Sequence, residues 1–175
     1  MLEVLLPITI RASCDSDDVC SVHRAAFSTE TEALLVNQLQ ARGKSVVSLV
    51  AECGSDIVGH ILFSPVTIDE KPVNGVGLAP IAVLPEMQNR GIGGRLIAAG
   101  LAACQRTGIG FVVVLGDPGF YERFGFTPAS GRGLRNEYGA ESEFAAIELS
   151  PQSIPSKGGL VKYAPEFAGL VFDRG

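Results

Sequence analysis

The sequence predicts a single α/β domain built on a mixed, mostly antiparallel sheet of six or seven strands, with helices on both faces. The 175 residues are the usual length of one domain. About 46% of the residues are apolar and 19% are charged, a balance typical of globular proteins. Strand and helix patterns follow one another along the chain, and the short turns between successive strands indicate antiparallel neighbours.

Charge and hydropathy exclude several classes of protein. The net charge of −5 argues against a protein that coats nucleic acid or an anionic membrane, so neither is expected as a partner. No stretch approaches the roughly 18 apolar residues of a membrane span. The first ten residues lack a basic region and contain Glu3 and Pro7, which favours a first strand over a signal peptide. We therefore expect a cytoplasmic protein with reduced cysteines.

The front half of the chain is predicted to run β-α-α-β-β-β. A T-x-x-E pattern at Thr29 and Glu32 is typical of a capping box, which predicts a helix start. A Gly-Ser-Asp turn at 54–56 separates two of the strands. The predicted elements are a strand at Val4–Arg11, a helix from a cap at Asp15 or Ser16 to Phe27, a helix from Thr29 to Gly43, and strands at Val46–Cys53, Ile57–Ile68 and Val73–Leu84.

The rear half is richer in glycine. The unbroken apolar run Phe111–Leu115 is typical of a fully buried strand, and Asp117 with Pro118 is typical of a helix start. The predicted elements are a loop at Pro85–Gly94, a helix at Ile92–Thr107, a strand at Phe111–Leu115, a short helix at Pro118–Arg123, an exposed loop at Ser130–Gly139 and a strand at Phe144–Leu149.

The end of the chain is predicted to be an extension of the domain. Residues 150–175 contain a strand-like segment, Leu160–Tyr163, among several prolines and glycines. We expect a main domain at 1–149 and an extension at 150–175 that packs on it or next to it, either as an appended hairpin or as an arm over the sheet.

The segment 81–96 carries the clearest chemical signal, because a strand ends there, a glycine-rich loop follows and a helix begins. The first N–H groups of a helix lack partners within the helix, and they lie at the positive end of the helix dipole. They therefore favour binding of a phosphate or pyrophosphate. Gly91 and Gly93 allow close approach of the backbone, and Arg90 and Arg95 are candidates for charge-assisted hydrogen bonds. A P-loop is excluded here because the segment 81–96 contains no Gly-Lys-Ser/Thr, and the dinucleotide fingerprint is excluded because Leu96 stands where its third glycine would be.

Two motifs in this order resemble those of the GCN5-related N-acetyltransferase (GNAT) family. Gln88-x-x-Gly91-x-Gly93 is similar to the family's Q/R-x-x-G-x-G/A loop. Downstream, Tyr121-x-x-x-Gly125-Phe126 is similar to its Y-x-x-x-G-F signature, with one predicted helix and one strand between. The resemblance covers about Val4 to Leu149. The stretch Leu-Gly-Asp-Pro at 115–118 and the C-terminal pattern resemble an uncharacterised bacterial subgroup.

The resemblance implies a site for acetyl-CoA between two central parallel strands that splay apart near Val83 and Leu115. The first strand would pair with the pantetheine arm and point an N–H at the acetyl carbonyl, and the loop would wrap the pyrophosphate. Tyr121 would lie near the sulfur as the general acid. The implied cofactor-binding residues are Ile81, Ala82, Val83, Gln88, Asn89, Arg90, Gly91, Ile92, Gly93 and Gly94.

The resemblance implies acetyl-CoA-dependent N-acetyl transfer, with an amine on a small molecule or a peptide attacking the thioester directly in a ternary complex. The chemistry suits these residues, since a strand N–H stabilises a developing oxyanion. A phenol with a pKa of about 10 can protonate a thiolate whose conjugate acid has a pKa of about 8.5. Two alternatives remain open: a catalytically idle CoA-binding regulatory module, and an acyltransferase that uses another acyl-CoA. No metal is expected, and a homodimer is possible.

The general base is not identified by the sequence. Asp117, Glu30, Glu32 and His60 are candidates, but each has an ordinary structural interpretation. Asp117 is typical of a helix cap, the two glutamates are typical of solvated first-turn carboxylates, and a strand histidine is usually satisfied by packing. Ordered water is a further alternative.

The pair Cys20-x-x-His23 favours neither a metal site nor a nucleophile. Zinc normally takes four ligands, and the sequence has no second pair at suitable spacing. We expect Cys14, Cys20, Cys53 and Cys104 to be small and mostly buried side chains.

Overall fold

The computed structural model describes residues 6–14 and 16–170, and these form one mixed sheet with helices on both faces. The strands are β1 Ile8–Ala12, β2 Val47–Cys53, β3 Asp56–Ile68, β4 Lys71–Val83, β5 Phe111–Leu115, β6 Thr127–Pro128, β7 Leu134–Asn136, β8 Phe144–Glu148 and β9 Gly159–Lys162. The α-helices are α1 Ser16–Ala26, α2 Thr31–Ala41, α3 Ile92–Arg106 and α4 Pro118–Tyr121. Short 3-10 helices lie at Pro85–Met87, Glu122–Phe124, Ala129–Arg132 and Pro165–Gly169.

The sheet is mostly antiparallel, as predicted. Its main path runs β1-β2-β3-β4-β5-β8-β6, which is seven of the nine strands found among the described residues. The strands β7 and β9 lie off this path and pair in parallel with each other, and β9 also pairs antiparallel with the far end of β3. The predicted six or seven strands correspond to β1 to β5, β8 and the strand-like segment of β9, whereas β6 and β7 were not predicted.

The central parallel pair, β4 and β5, separates as predicted. Their pairing runs from Gly75↔Phe111 to Gly77↔Val113. Beyond Gly77, β4 continues to Val83 and remains paired with β3 alone among the described strands. One edge of β4 over residues 78–83 is consequently open, which leaves backbone hydrogen-bonding groups available to a ligand.

The core has two layers, one on each face of the sheet. The helices α1 and α2 pack on the first face, where they bury residues such as Val19 and Leu39. The helix α3 packs on the second face through Leu96 and Ile97, together with Tyr121. The apolar residues along each helix therefore form one stripe, and this stripe is buried against the sheet.

Several predicted boundaries of the front half are corrected by the structure. The predicted start at Val4 and the alternative cap at Asp15 lie outside the described residues. The capping box is wrong, because Glu30 already has helical geometry, so α2 begins at Thr31 with no side-chain cap among the described residues. The Thr29 hydroxyl accepts the Thr31 backbone N–H at 3.4 Å and contacts the side chains of Thr31 and Glu32, whereas a capping box requires it to accept the backbone N–H of Glu32.

In the rear half, one predicted strand is confirmed and one predicted loop is wrong. The buried strand Phe111–Leu115 is confirmed at both ends, and Asp117 caps α4 by accepting the Gly119 N–H at 2.9 Å. The helix α4 is shorter than predicted and continues as a 3-10 turn. The predicted exposed loop at Ser130–Gly139 is wrong, because β7 lies within it and buries Leu134 and Asn136. The strand that pairs with β7 is β9, which is too distant in sequence for local patterns to reveal.

The C-terminal segment joins the same sheet and core. The strand β9 pairs with β3, so it is a strand of the main sheet rather than an appended hairpin or an arm over it. Phe167 is fully buried, and the Glu166 carboxylate accepts hydrogen bonds from Lys44 at 2.8 and 2.9 Å and from Arg42 at 3.2 Å. These contacts attach the segment to the end of α2. None of the helices in the described ranges combines the length and apolarity needed to cross a bilayer.

Candidate active site

The open edge of β4 presents the backbone of two residues to the space between β4 and β5. The Leu84 N–H donates to the Val58 carbonyl of β3 at 2.9 Å. Because bonded and non-bonded residues alternate along an antiparallel strand, Ala82 also bonds towards β3, whereas Ile81 and Val83 face away from it. The N–H groups of Ile81 and Val83 are therefore directed into the gap.

The loop that follows β4 has the backbone geometry of an anion site. Asn89 and Gly91 both have positive φ, at 60° and 78°, which turns successive N–H groups towards a common side. Gly91 is the N-cap residue of α3 and supplies no side chain, so no side-chain cap among the described residues occupies the first N–H groups of the helix. A Cβ on Gly91 would meet no atom within 4 Å, and one on Gly93 only Val83 Cγ2 at 4.0 Å. The loop therefore faces open space.

A cleft of about 580 Å³ joins the open edge and the loop. It is lined by residues 81–83, 87–89 and 91–94 and by Phe120 and Arg123. The structure thus brings together all of the predicted cofactor-binding residues except Arg90, which is exposed and does not line the cleft. Sequence reasoning missed Met87, Phe120 and Arg123. Phe120 belongs to α4 and Arg123 to the 3-10 turn that follows it, and their access to the cleft depends on tertiary packing.

Two polar side chains near the loop are engaged within the protein. Gln88 Nε2 donates to the Val83 carbonyl at 3.0 Å, which fixes the loop against the end of β4. Arg95 Nη2 donates to the Ile8 carbonyl of β1 at 2.8 Å. One nitrogen of the Arg95 guanidinium therefore tethers α3 to the sheet edge, and the predicted charge-assisted bond from Arg95 to an anion stays a prediction.

Tyr121 lies on the β5 side of the gap, behind Phe120. Its ring packs edge-on against Phe120 at 5.1 Å and Phe126 at 5.6 Å, and it is not among the residues that line the cleft. A Cβ on Gly116, the residue after β5, would overlap this ring. Burial raises the pKa of the Tyr121 phenol to about 12, because the low-dielectric surroundings disfavour the phenolate.

The carboxylates considered as bases have structural roles. Asp117 is the cap of α4. Glu30 accepts from Arg24 Nε at 2.7 Å in an exposed ion pair, and Glu32 accepts from the Thr29 hydroxyl at 3.2 Å. The ordinary interpretation of Asp117 as a helix cap is confirmed, and neither glutamate lines the cleft.

The two histidines of the chain form a buried pair. His23 Nε2 lies 2.8 Å from His60 Nδ1, and His60 Nε2 lies 2.8 Å from the Ser48 hydroxyl. His23 also stacks on Phe27, with ring centroids 5.9 Å apart. Both imidazoles are fully buried, and burial lowers the pKa of each below its ordinary value. The prediction that His60 is a satisfied strand histidine is confirmed, and the pair holds α1 against β3.

The cysteines form neither a disulfide nor a metal site in the described part of the chain. All four are free thiols, and no group of three or more potential ligands gathers among the described residues. Cys20 Sγ lies 3.1 Å from Asn37 Oδ1, so Cys20 and His23 face different partners. Cys20 and Cys104 are buried as predicted, Cys53 is half-buried, and the prediction for Cys14 is wrong because it is exposed.

The sequence of this chain is similar to one family model and to two bacterial proteins. The family model described as "Acetyltransferase (GNAT) domain" matches residues 44–128, which span β2 to β6. The uncharacterized N-acetyltransferase YhbS of Escherichia coli K12 is 33% identical over 162 residues, covering 91% of this chain and 97% of the relative. The uncharacterized N-acetyltransferase YjhQ of the same strain is 38% identical over 122 residues, covering 67% of each chain.

Two solved structures share the fold closely. The structure of E. coli YhbS, determined in complex with CoA, superposes with a TM-score of 0.86 at 32% identity, covering 93% of this chain and 92% of that one. A GNAT family acetyltransferase from Brucella melitensis, determined in complex with acetyl-CoA, gives a TM-score of 0.79 at 34% identity, covering 92% and 98%. Both likenesses cover more than nine-tenths of this chain.

Proposed function

This chain belongs to the GNAT family of acetyltransferases, and from that premise we propose that it transfers the acetyl group of acetyl-CoA to a primary amine. The amine belongs to a small molecule or a peptide, and it attacks the thioester directly while both substrates are bound.

The observation that carries this proposal is the continuity of the open β4 edge with the anion loop in one cleft. An extended pantetheine arm needs backbone donors and acceptors along its length, and Ile81 and Val83 offer them. A pyrophosphate needs converging N–H groups, and the start of α3 offers these where Gly91 and Gly93 leave open space. Support also comes from the two similar structures that were determined with CoA and with acetyl-CoA.

Each element of the cleft has a separate task in the proposed reaction. Acetyl-CoA supplies an acyl group already activated as a thioester, so no enzyme nucleophile is needed. The N–H of Val83 is directed into the gap and can donate to the acetyl oxygen as negative charge develops on it. The N–H groups at the start of α3 hold the phosphates and so fix the position of the whole arm.

Tyr121 supplies the proton for the departing sulfur in this proposal. Burial raises the pKa of its phenol to about 12, so the group is protonated throughout the neutral range and is available as a donor. Its ring packs behind Phe120, and Phe120 is part of the cleft wall. The attacking amine loses its proton to water, since the carboxylates near the site are engaged elsewhere.

The proposal is tested by thiol release from acetyl-CoA with a panel of amines: polyamines, amino acids, aminoglycosides and short peptides. We expect amine-dependent release of CoA, intersecting initial-rate patterns when both substrates are varied, and no acetylated protein in intact mass spectra taken without amine. An acetylated enzyme or parallel kinetic patterns would contradict direct attack. Parallel assays with propionyl-CoA and succinyl-CoA test the acetyl preference, and binding of acetyl-CoA without turnover of any amine would favour a regulatory module.

A further inference from the structure

The wall of the cleft opposite the anion loop carries a guanidinium. Arg123 lines the cleft from the 3-10 turn that follows α4. Its guanidinium carbon lies 4.2 Å from the centroid of the Phe120 ring and 5.7 Å from that of Phe124. Both distances lie within the range of cation–π contacts, so the charge rests on an aromatic surface that is itself part of the site.

The position of this guanidinium is fixed in advance of any ligand. Arg123 Nε donates to the Phe120 carbonyl at 3.0 Å, which together with the stacking orients the plane of the group. The terminal nitrogens, which form the paired donors that suit a phosphate, take no part in that bond. No carboxylate among the described residues forms an ion pair with Arg123, in contrast to Arg11, Arg24 and Arg132.

The location of Arg123 along the cleft indicates which part of a ligand it meets. Its neighbour Phe124 packs on α3, because a Cβ on Gly94 would lie 3.4 Å from the Phe124 ring. Gly94 is in the first turn of α3, where the loop presents its N–H groups. Tyr121, by contrast, sits on Gly116 at the end of β5. The segment that carries Arg123 is therefore anchored beside the first turn of α3, where the phosphates of a ligand would bind.

We propose that Arg123 is a second phosphate-binding element of this cleft, which clamps a phosphate of the CoA nucleotide against the N-terminal turn of α3. This inference rests on the proposed function, since it takes acetyl-CoA as the ligand. The loop N–H groups grip the phosphates from one side and carry no full charge, whereas Arg123 supplies the full positive charge from the other.

Calorimetric titration of four proteins tests this role: the wild type, Arg123→Ala, Arg123→Lys and the matched control Arg106→Ala. Arg106 is exposed at the opposite end of α3, and its removal changes the net charge equally. Each protein is titrated with acetyl-CoA, with CoA and with dephospho-CoA, which lacks the 3′-phosphate. We expect Arg123→Ala to weaken acetyl-CoA binding about tenfold, Arg123→Lys less, and Arg106→Ala less than about twofold.

Titration with dephospho-CoA shows which phosphate of the cofactor Arg123 contacts. If Arg123 contacts the 3′-phosphate, dephospho-CoA binds the wild type and Arg123→Ala equally. If it contacts the pyrophosphate, Arg123→Ala weakens dephospho-CoA and CoA by the same factor. Equal weakening by Arg106→Ala, or no weakening by Arg123→Ala, would overturn the inference. A wild-type protein that binds none of the three ligands would instead contradict the proposed function.

Discussion

The ring of Tyr121 lies directly on the α-carbon of Gly116, so closely that a Cβ at that position would overlap ring carbon Cε2. Gly116 follows the last residue of β5, and Tyr121 is the last residue of α4. Asp117, between them, turns the chain by capping α4. The end of the buried strand is therefore shaped to receive this phenol on the β5 side of the gap.

Replacement of Tyr121 by Phe is expected to lower kcat by about a hundredfold and to leave the affinity for acetyl-CoA within about twofold. The phenol is the proposed proton donor, whereas the ring that packs against Phe126 is retained in the variant. Thiol-release kinetics and calorimetry measure the two quantities. Tyr138→Phe is the matched control, since Tyr138 packs in the opposite core layer. Unchanged kcat in Tyr121→Phe would refute the acid role.

Replacement of Gly116 by Ala is expected to lower kcat by displacing Tyr121, because the new methyl group and the ring cannot occupy the same space. The free energy of unfolding should fall by about 1–3 kcal/mol for the same reason. Gly131→Ala is the control, since a Cβ there meets nothing within 4 Å. If Gly116→Ala is as active as Gly131→Ala, the position of the ring is unimportant for catalysis.

Replacement of Gly93 by Asp is expected to lower the affinity for acetyl-CoA without lowering the stability of the fold. A carboxylate in the first turn of α3 is favourable to the helix dipole, so the free energy of unfolding should be unchanged or slightly higher. The same carboxylate would repel a pyrophosphate and occupy the open space beside Val83, so acetyl-CoA affinity should fall at least about tenfold. The control is Gly131→Asp, which has equal net charge. Retained affinity in Gly93→Asp would show that the phosphates lie elsewhere.

The buried histidine pair predicts a loss of stability in mild acid. Burial lowers the pKa of both imidazoles in the folded protein, so the unfolded chain binds more protons once the pH falls below about 6.5. The stabilisation is complete above that pH and declines progressively below it, as the pH approaches the folded-state values.

The two histidine ring signals in NMR spectra test this directly, since the chain has only two. Both should stay in the neutral form down to about pH 5, and urea unfolding midpoints should fall between pH 7 and pH 5. A titration midpoint near 6.5 for either ring would contradict the buried, hydrogen-bonded pair.

The ion pair between Glu166 and Lys44 predicts that the contact of the C-terminal segment with the end of α2 contributes to stability. The Glu166 side chain is 1% exposed. Burial acts to raise the pKa of this carboxyl, but the hydrogen bond from Lys44 and the charges of Lys44 and Arg42 lower it overall. Lys44→Met should reduce the free energy of unfolding by about 1–2 kcal/mol, because it removes the main partner of an enclosed carboxylate.

The control for that ion pair is Lys162→Met. The Lys162 pair with Glu70 is exposed, so its loss should lower the free energy of unfolding less than Lys44→Met does. Chemical denaturation of both variants provides the comparison. Equal losses would indicate that Glu166 contributes no more than a surface pair.

Local patterns predicted much of this fold because they depend on short-range physics. The apolar run of β5 and the Asp-Pro start of α4 are local signals, and both match the structure. The strand β7 was missed, and β9 was predicted as a strand without its partners β3 and β7, since each strand is short and pairs with a distant part of the chain. The capping box failed because Glu30 adopts helical geometry, a choice that the T-x-x-E spacing does not determine.

In the candidate site, too, the local features could be predicted and the long-range contacts could not. The glycines of the loop were predictable, since they belong to one continuous segment in which φ and close approach restrict the residue type. The contact of Arg95 with the Ile8 carbonyl was not predicted, because Ile8 lies in the first strand, 87 residues away in the chain. Arg123 was overlooked because its access to the cleft depends on how α4 folds back over α3, which only the tertiary structure reveals.

The most direct test of the account is calorimetric titration of the purified protein with acetyl-CoA, alongside CoA and desulfo-CoA. The open β4 edge and the N-terminal turn of α3 predict saturable one-to-one binding of all three ligands, with Kd below about 100 μM. Absence of saturable heat up to about 1 mM, equivalent to less than about 4 kcal/mol of binding free energy, would contradict the assignment of the cleft to the cofactor.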